Sequence, residues 1–129
     1  MYLTKNELEI MDVLWTSGRP LSRGEILSLS VEKSWMDSSI HILLNSMLKK
    51  GAIREAGYVK CGKTSGRVYE AALSCAQYHV STLHSTKTVA SAVELLQEYL
   101  EQEQPSCDVL RQLEKVLREE RQKRKTPAC

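Results

Sequence analysis

Apolar residues near the start of the chain recur every three or four positions. Leu8, Met11 and Trp15 fall on one stripe, widened by Ile10, Val13 and Leu14, the pattern of a helix that buries one face. Thr4 followed by Glu7 fits a capping box, in which hydroxyl and carboxylate each satisfy an orphan backbone N–H. Gly18 and Pro20 supply a stop, so a first helix is predicted over 5–17. Ser22 and Glu25 repeat the box, and Ile26, Leu27 and Leu29 give a short second helix its apolar face. After the polar stretch Glu32-Lys33-Ser34 a third helix is predicted, with Asp37 or Ser38 as N-cap. Its apolar stripe is Ile40, Leu43, Leu44, Met47 and Leu48. Lys49 and Lys50 suit the negative end of the helix dipole, and Gly51 suits the left-handed residue that ends a helix.

The period then changes. Ala52 to Ala56 reads as the start of a strand, Tyr58 to Cys61 continues it, Gly62 to Gly66 reads as a five-residue turn, and Arg67 to Ala71 as the return strand. Three helices followed by a hairpin is the order of a winged helix-turn-helix, predicted over residues 1–73. Beyond Leu73 the pattern is helical again, with an apolar piece from Tyr78 to Leu83 and another at Val89, Val93, Leu96 and Leu100, broken near Ser85-Thr86-Lys87-Thr88. Pro105 ends that region, and Ser106 is a good N-cap for a last helix whose stripe is Val109, Leu110, Leu113, Val116 and Leu117. Two short striped helices lack the surface to close a core of their own. Residues 74–125 therefore read as a dimerisation region in which Leu96, Leu100, Val109, Leu110, Leu113, Val116 and Leu117 pair with a second copy. Residues 126–129 read as a disordered tail. The fold class is mainly α with a small β-hairpin.

Composition narrows the function. The chain has 129 residues, 42% of them apolar, and no Phe, enough for one modest core but not for a large catalytic scaffold. No apolar run is long enough to cross a membrane, and the first residues carry no export signal, so a cytoplasmic protein is expected. Cys61, Cys75, Cys107 and Cys129 form no Cys-x-x-Cys pair, and reduced thiols are expected. Cys75 and His79 share a helix face, but His84 is turned away from them, so no metal site and no cofactor is assigned. A Cys-His nucleophile lacks an orienting acid and an oxyanion hole at readable spacing, so no enzyme is expected.

The net charge is +2, and its distribution says more than its size. Between Met36 and Tyr69 stand six basic residues against two acidic ones, whereas from Leu73 onward the two signs are equal. An internal basic segment is expected to meet a polyanion. On the third helix, at 100° per residue, Ser38, His41, Ile42, Asn45, Ser46 and Lys49 lie opposite the apolar stripe, with Ser39 beside them. Asn can bind adenine bidentately, His and Ser can meet base edges or phosphate, Ile can touch a thymine methyl, and Lys can neutralise phosphate. The hairpin adds Lys60, Lys63 and Arg67, beside Gly62 and Gly66, which allow close backbone approach to phosphate. These residues are the expected contacts to double-stranded DNA. The competing reading is a winged helix that docks a protein partner.

The residues also carry a resemblance. Leu3-Thr4, Glu7 to Met11, Leu14-Trp15, Ser22 to Ile26, Ser39-Ile40, Leu43-Leu44, Lys50-Gly51 and Arg67-Val68-Tyr69 together resemble the penicillinase-repressor family of BlaI, MecI and CopY type. The resemblance implies a homodimeric repressor that sits on an inverted-repeat operator. It further implies control of β-lactam resistance genes and release through a sensor protease, or metal-triggered release as in the copper branch. The chain departs from the family pattern at Ile42, where Thr is expected, and at Ser46, where Arg is expected. It lacks the Asn-Phe bond of cleaved members and the paired C-terminal Cys-x-Cys motifs of the copper branch.

Overall fold

Thr4 Oγ1 accepts from the backbone N–H of Glu7 at 3.3 Å, and Glu7 Oε1 accepts from the backbone N–H of Thr4 at 2.8 Å. This reciprocal cap starts α1, Lys5–Ser17, which Gly18 ends in the left-handed conformation at φ 65°. The structure, a computed structural model, describes residues 2–61, 64–83 and 91–124. A two-residue strand β1, Leu21–Ser22, leads straight into α2, Arg23–Leu29, capped by Ser22 and Glu25. A single 3₁₀ turn at Asp37–Ser39 then feeds α3, Ile40–Lys50, which Gly51 ends at φ 79°. The hairpin is β2, Ile53–Cys61, with β3, Thr64–Ala71, and the remaining helices are α4, Cys75–Thr82, α5, Ala92–Glu103, and α6, Cys107–Arg124.

The three strands form one antiparallel sheet in the order β1-β3-β2, with Leu21 opposite Tyr69 and Ile53 opposite Ala71. Glu55 faces Tyr69 while Gly57 faces Val68, so Ala56 is an extra residue that makes a bulge. Helices α1, α2 and α3 pack over this sheet around Ile10, Met11, Leu14, Leu21, Ile26, Ile40, Leu44, Met47 and Ile53, each at most 4% exposed. Trp35, from the link between α2 and α3, inserts into the same core and is 6% exposed. The result is the winged helix expected from the element order.

Several local expectations change. Neither Asp37 nor Ser38 caps α3, because the chain enters through the 3₁₀ turn, and the Asp37 carboxylate is held instead by Lys33 at 2.6 Å. Leu29 faces outward at 48% exposure, since α2 ends there and the buried face is carried by Ile26 with Leu27 half-buried. Thr64, Ser65 and Gly66 are strand residues paired with Cys61, Lys60 and Val59, so the predicted five-residue turn is shorter; Gly62 and Lys63 lie outside the described residues. The expected break at 85–88, Val89, His84 and the tail at 126–129 also lie outside them.

The chain divides into two compact units, 1–87 and 88–129, whereas the sequence reading separates residues 1–73 from 74–125. Residues 74–83 belong with the first unit because Tyr78 of α4 is buried beside Trp15, with ring centroids 5.9 Å apart. The Trp15 indole N–H, itself half-buried, donates to the carbonyl of Leu73 at 3.0 Å. In the second unit, Ser91 caps α5 through the N–H of Glu94 at 3.2 Å, and Ser106 accepts from Val109 N–H at 3.4 Å at the head of α6. No described residue of this unit is buried.

Candidate nucleic-acid interface

Helix α3 has two sharply different sides. Ile40, Leu44 and Met47 are buried and Leu43 and Leu48 half-buried, so packing fixes which way the helix is turned. His41, Ile42, Asn45 and Lys49 are exposed on the other side, and Ser38 is exposed on the turn just before it. Ile42 is 73% exposed, a large apolar side chain presented to solvent from an otherwise well-anchored helix. Ser39 and Ser46 are only half-buried members of the set, standing at its margins.

Ser46 faces partly inward, where its hydroxyl helps to stabilise the carboxylate of Glu7. Burial alone would raise that carboxyl. The Lys50 ammonium, the Thr4 N–H and the hydroxyls of Ser46 and Thr4 together outweigh burial and lower it to about 2. Glu7 Oε1 thus accepts from Lys50 Nζ at 2.6 Å and from Thr4 N–H, while Oε2 has no hydrogen-bond partner among the described residues. The last turn of α3 is therefore tied to the first turn of α1.

The hairpin is more self-compensated than its sequence suggests. Arg67 stands opposite Tyr58 in the ladder, but its guanidinium is bound by Glu55 at 2.9 Å, and Glu55 and Tyr58 both raise its already high pKa. Arg54 is likewise bound by Glu70 at 2.7 Å. Lys60 occupies β2 opposite Ser65. Lys49 has no carboxylate partner among the described residues, and neither has Arg23, the first residue of α2. Arg23 was not singled out from the sequence, where a basic residue beginning a helix has no distinguishing pattern. It stands against α3, with Nη1 2.7 Å from Nε2 of His41.

The second unit displays the apolar row that the spacing predicts. Val109 and Leu110 are just over a third exposed, Val116 and Leu117 about half exposed at 52% and 54%, and Leu96, Leu100 and Leu113 half-buried. Tyr99 and Val93 of α5 add to the exposed surface. The helix end is laced by Glu120 with Lys123 and Arg124 at 3.3 and 2.7 Å. Cys75 and Cys107 are free and exposed, and the His79 ring lies 2.8 Å from the Cys75 carbonyl on its own helix.

A three-helix core and a hairpin wing, with an outward polar face on the third helix, define a winged-helix protein. The sequence profile described as "Penicillinase repressor" matches residues 3–119, and the chain belongs to that family. No helix among the described residues is long and apolar enough to cross a membrane. A curated relative, the uncharacterized 16.5 kDa protein in ptsI 3'region of Latilactobacillus sakei, is 35% identical over 52 residues, 40% of this chain. The chain matches little more than a third, 36%, of that relative's length. Similar solved structures include the ferric uptake regulator from Francisella tularensis with iron, at 18% identity and TM-score 0.42, over 55% of this chain and 53% of that one. The Helicobacter pylori ferric uptake regulator, described as having three functional metal binding sites, is similar at 24% identity and TM-score 0.41, over 67% and 74%.

Proposed function

We propose that the protein represses transcription by binding an inverted-repeat operator as a homodimer, with α3 in the major groove. Ser38, Ser39, His41, Ile42, Asn45 and Ser46 would meet base edges or the adjoining backbone. Lys49, Lys60, Lys63 and Arg67 would neutralise phosphates, Arg67 after leaving Glu55. The observation that carries this reading is the outward face of α3, where polar side chains and a Lys49 with no carboxylate partner among the described residues stand exposed on a helix whose other side is locked in the core. A solvated helix face needs no exposed Ile at its centre, whereas a groove reader uses one against a thymine methyl.

The dimer in this proposal forms through Leu96, Leu100, Val109, Leu110, Leu113, Val116 and Leu117; the exposure of Val109, Leu110, Val116 and Leu117 supports a covering partner. Family membership supports a β-lactam response and a sensor protease as the signal route, acting in the cytoplasm where the operator lies. The chain contains no Phe, so such a protease would cut at a bond other than Asn-Phe.

Selection of randomised duplex DNA by the purified full-length protein, at roughly physiological salt, tests the reading. Enrichment of an inverted repeat is expected. A pool without enrichment, together with binding that ignores salt, overturns it in favour of a protein-docking winged helix, because phosphate contacts must release counterions.

A further inference from the structure

Met36 stands between the buried Trp35 and the 3₁₀ turn Asp37–Ser39 that feeds α3. Its backbone is extended, at φ −81° and ψ 148°. The two neighbours go opposite ways, for Trp35 is 6% exposed in the core and Met36 is 74% exposed. The backbone around Met36 is held on both sides. Its carbonyl accepts from the N–H of Ser39 at 2.8 Å, the Asp37 carboxylate is bound by Lys33 at 2.6 Å, and the N–H of Ser34 donates to Glu9 of α1 at 3.0 Å. A long apolar side chain is thus thrown outward from a fixed point at the N-terminal end of α3.

Ile42 is the comparable side chain on α3 itself, at 73% exposure. At 100° per residue, Asn45 and Lys49 lie within about 60° of it, so Ile42 belongs to the middle of the outward row. Met36 and Ile42 both stand outside the core, on the side where Ser38, His41, Asn45 and Lys49 are also exposed. Large apolar groups held in water gain free energy only from a surface that covers them. In the major groove the apolar group on offer is the C5-methyl of thymine. A recognition helix meets base edges with its N-terminal residues, so the residue just ahead of α3 comes to the bases together with Ile42.

We propose that Met36 is a base-reading residue, and that Met36 and Ile42 each cover the C5-methyl of a different thymine in a half-site. The inference rests on the DNA-binding reading above. Methionine suits the role because its unbranched thioether adapts to the surface it meets. The methyl sets thymine apart from cytosine, whose C5 carries hydrogen alone, and covering it is driven by burial without a hydrogen bond. Burying one methyl-sized group corresponds to about fourfold in affinity.

The test uses the operator enriched by the full-length protein, synthesised with single thymines replaced by deoxyuridine. That base keeps every hydrogen-bonding group of thymine and lacks only the C5-methyl. Anisotropy titrations at fixed salt are expected to show two thymines per half-site at which the replacement costs wild type about fourfold. Met36→Ala is expected to bind the intact operator more weakly and to lose the penalty at one of these thymines while keeping it at the other. Ile42→Ala should do the converse. Both side chains are exposed, and circular dichroism checks that both variants fold; a variant weakened only through its fold would keep both penalties. Penalties that all persist in Met36→Ala overturn the assignment of Met36. Operator binding by wild type with no uracil penalty at any thymine overturns methyl reading at both residues. Failure to enrich any operator overturns the DNA-binding reading and this inference together.

Discussion

The carboxylate of Glu7 and the ammonium of Lys50 meet at 2.6 Å across 43 residues of sequence. Glu7 is 1% exposed, and the Lys50 side chain retains 30% of its exposure. One carboxylate oxygen thereby closes the cap of α1 and anchors the end of α3. This contact sets how α3 is held relative to the rest of the core, and so how its outer face is presented.

Removing one member should be worse than removing both. Lys50→Met leaves a buried carboxylate supported by Thr4 and Ser46 without its cation and is expected to destabilise the first unit by about 2 kcal/mol. Glu7→Gln, which keeps an acceptor for Thr4 N–H, should lose less. The double variant should be more stable than the sum of the single effects predicts. Urea unfolding of the four proteins reads this directly, and strictly additive losses would show that the pair is not coupled.

Acid should weaken the same contact. Glu7 sits at about 2 in the folded chain, against an ordinary carboxyl value of 4.5. A depressed carboxylate contributes stability above its unfolded value and loses that contribution as pH falls toward the folded one. Wild type is therefore expected to lose stability between pH 4.5 and about 2, and Glu7→Gln to lose distinctly less. Urea midpoints of the two proteins at neutral pH and near pH 3 check the sign.

Base reading and charge should separate on α3. Asn45→Ala is expected to weaken binding to the selected operator by about 1–3 kcal/mol while leaving non-specific DNA nearly unchanged. Lys49→Ala should weaken both kinds of DNA alike and lower the salt slope by about one. Unchanged operator binding by Asn45→Ala would remove this residue from the reading face.

The exposed row on α6 gives a separate handle. Val116→Glu with Leu117→Glu places two charges where a partner's apolar side chains would pack. The variant is expected to be monomeric by light scattering and to bind a full inverted repeat at least about tenfold more weakly, through loss of the second half-site. Each change falls on an exposed position, so the first unit should unfold as before. A dimer that survives would place the interface elsewhere.

Much of this was legible in the chain because the signals are local. The caps at Thr4–Glu7 and Ser22–Glu25, the stripe of α3 and the glycines at 18 and 51 each act within a turn or two, and all are found as read. Trp35 was not legible, since it follows a polar stretch and has no periodic neighbours, and its burial depends on helices that arrive from both sides. The strand at Leu21–Ser22 was equally hidden, because two residues hold no alternation and their partners are Tyr69 and Val68. Thr64 to Gly66 looked like turn by composition, yet the ladder with β2 extends them. At the candidate site, the outer face of α3 followed from its buried one. The pairing of Arg67 with Glu55 and of Arg23 with His41 did not, because both join separate elements.

The bulge at Ala56 bears on how the wing can change in length. Gly57 takes the ladder position that Ala56 would fill in a regular strand, and from there to Cys61 the pairing is unbroken. A gene that lost the codon for Ala56 would keep every later residue on its present side of the sheet, whereas losing a codon elsewhere in β2 would turn the remaining side chains over. What it would give up is the added twist that a bulge provides, and with it the direction in which the wing extends. Length and aim of the wing can thus be altered at this one residue without rewriting the hairpin's surface.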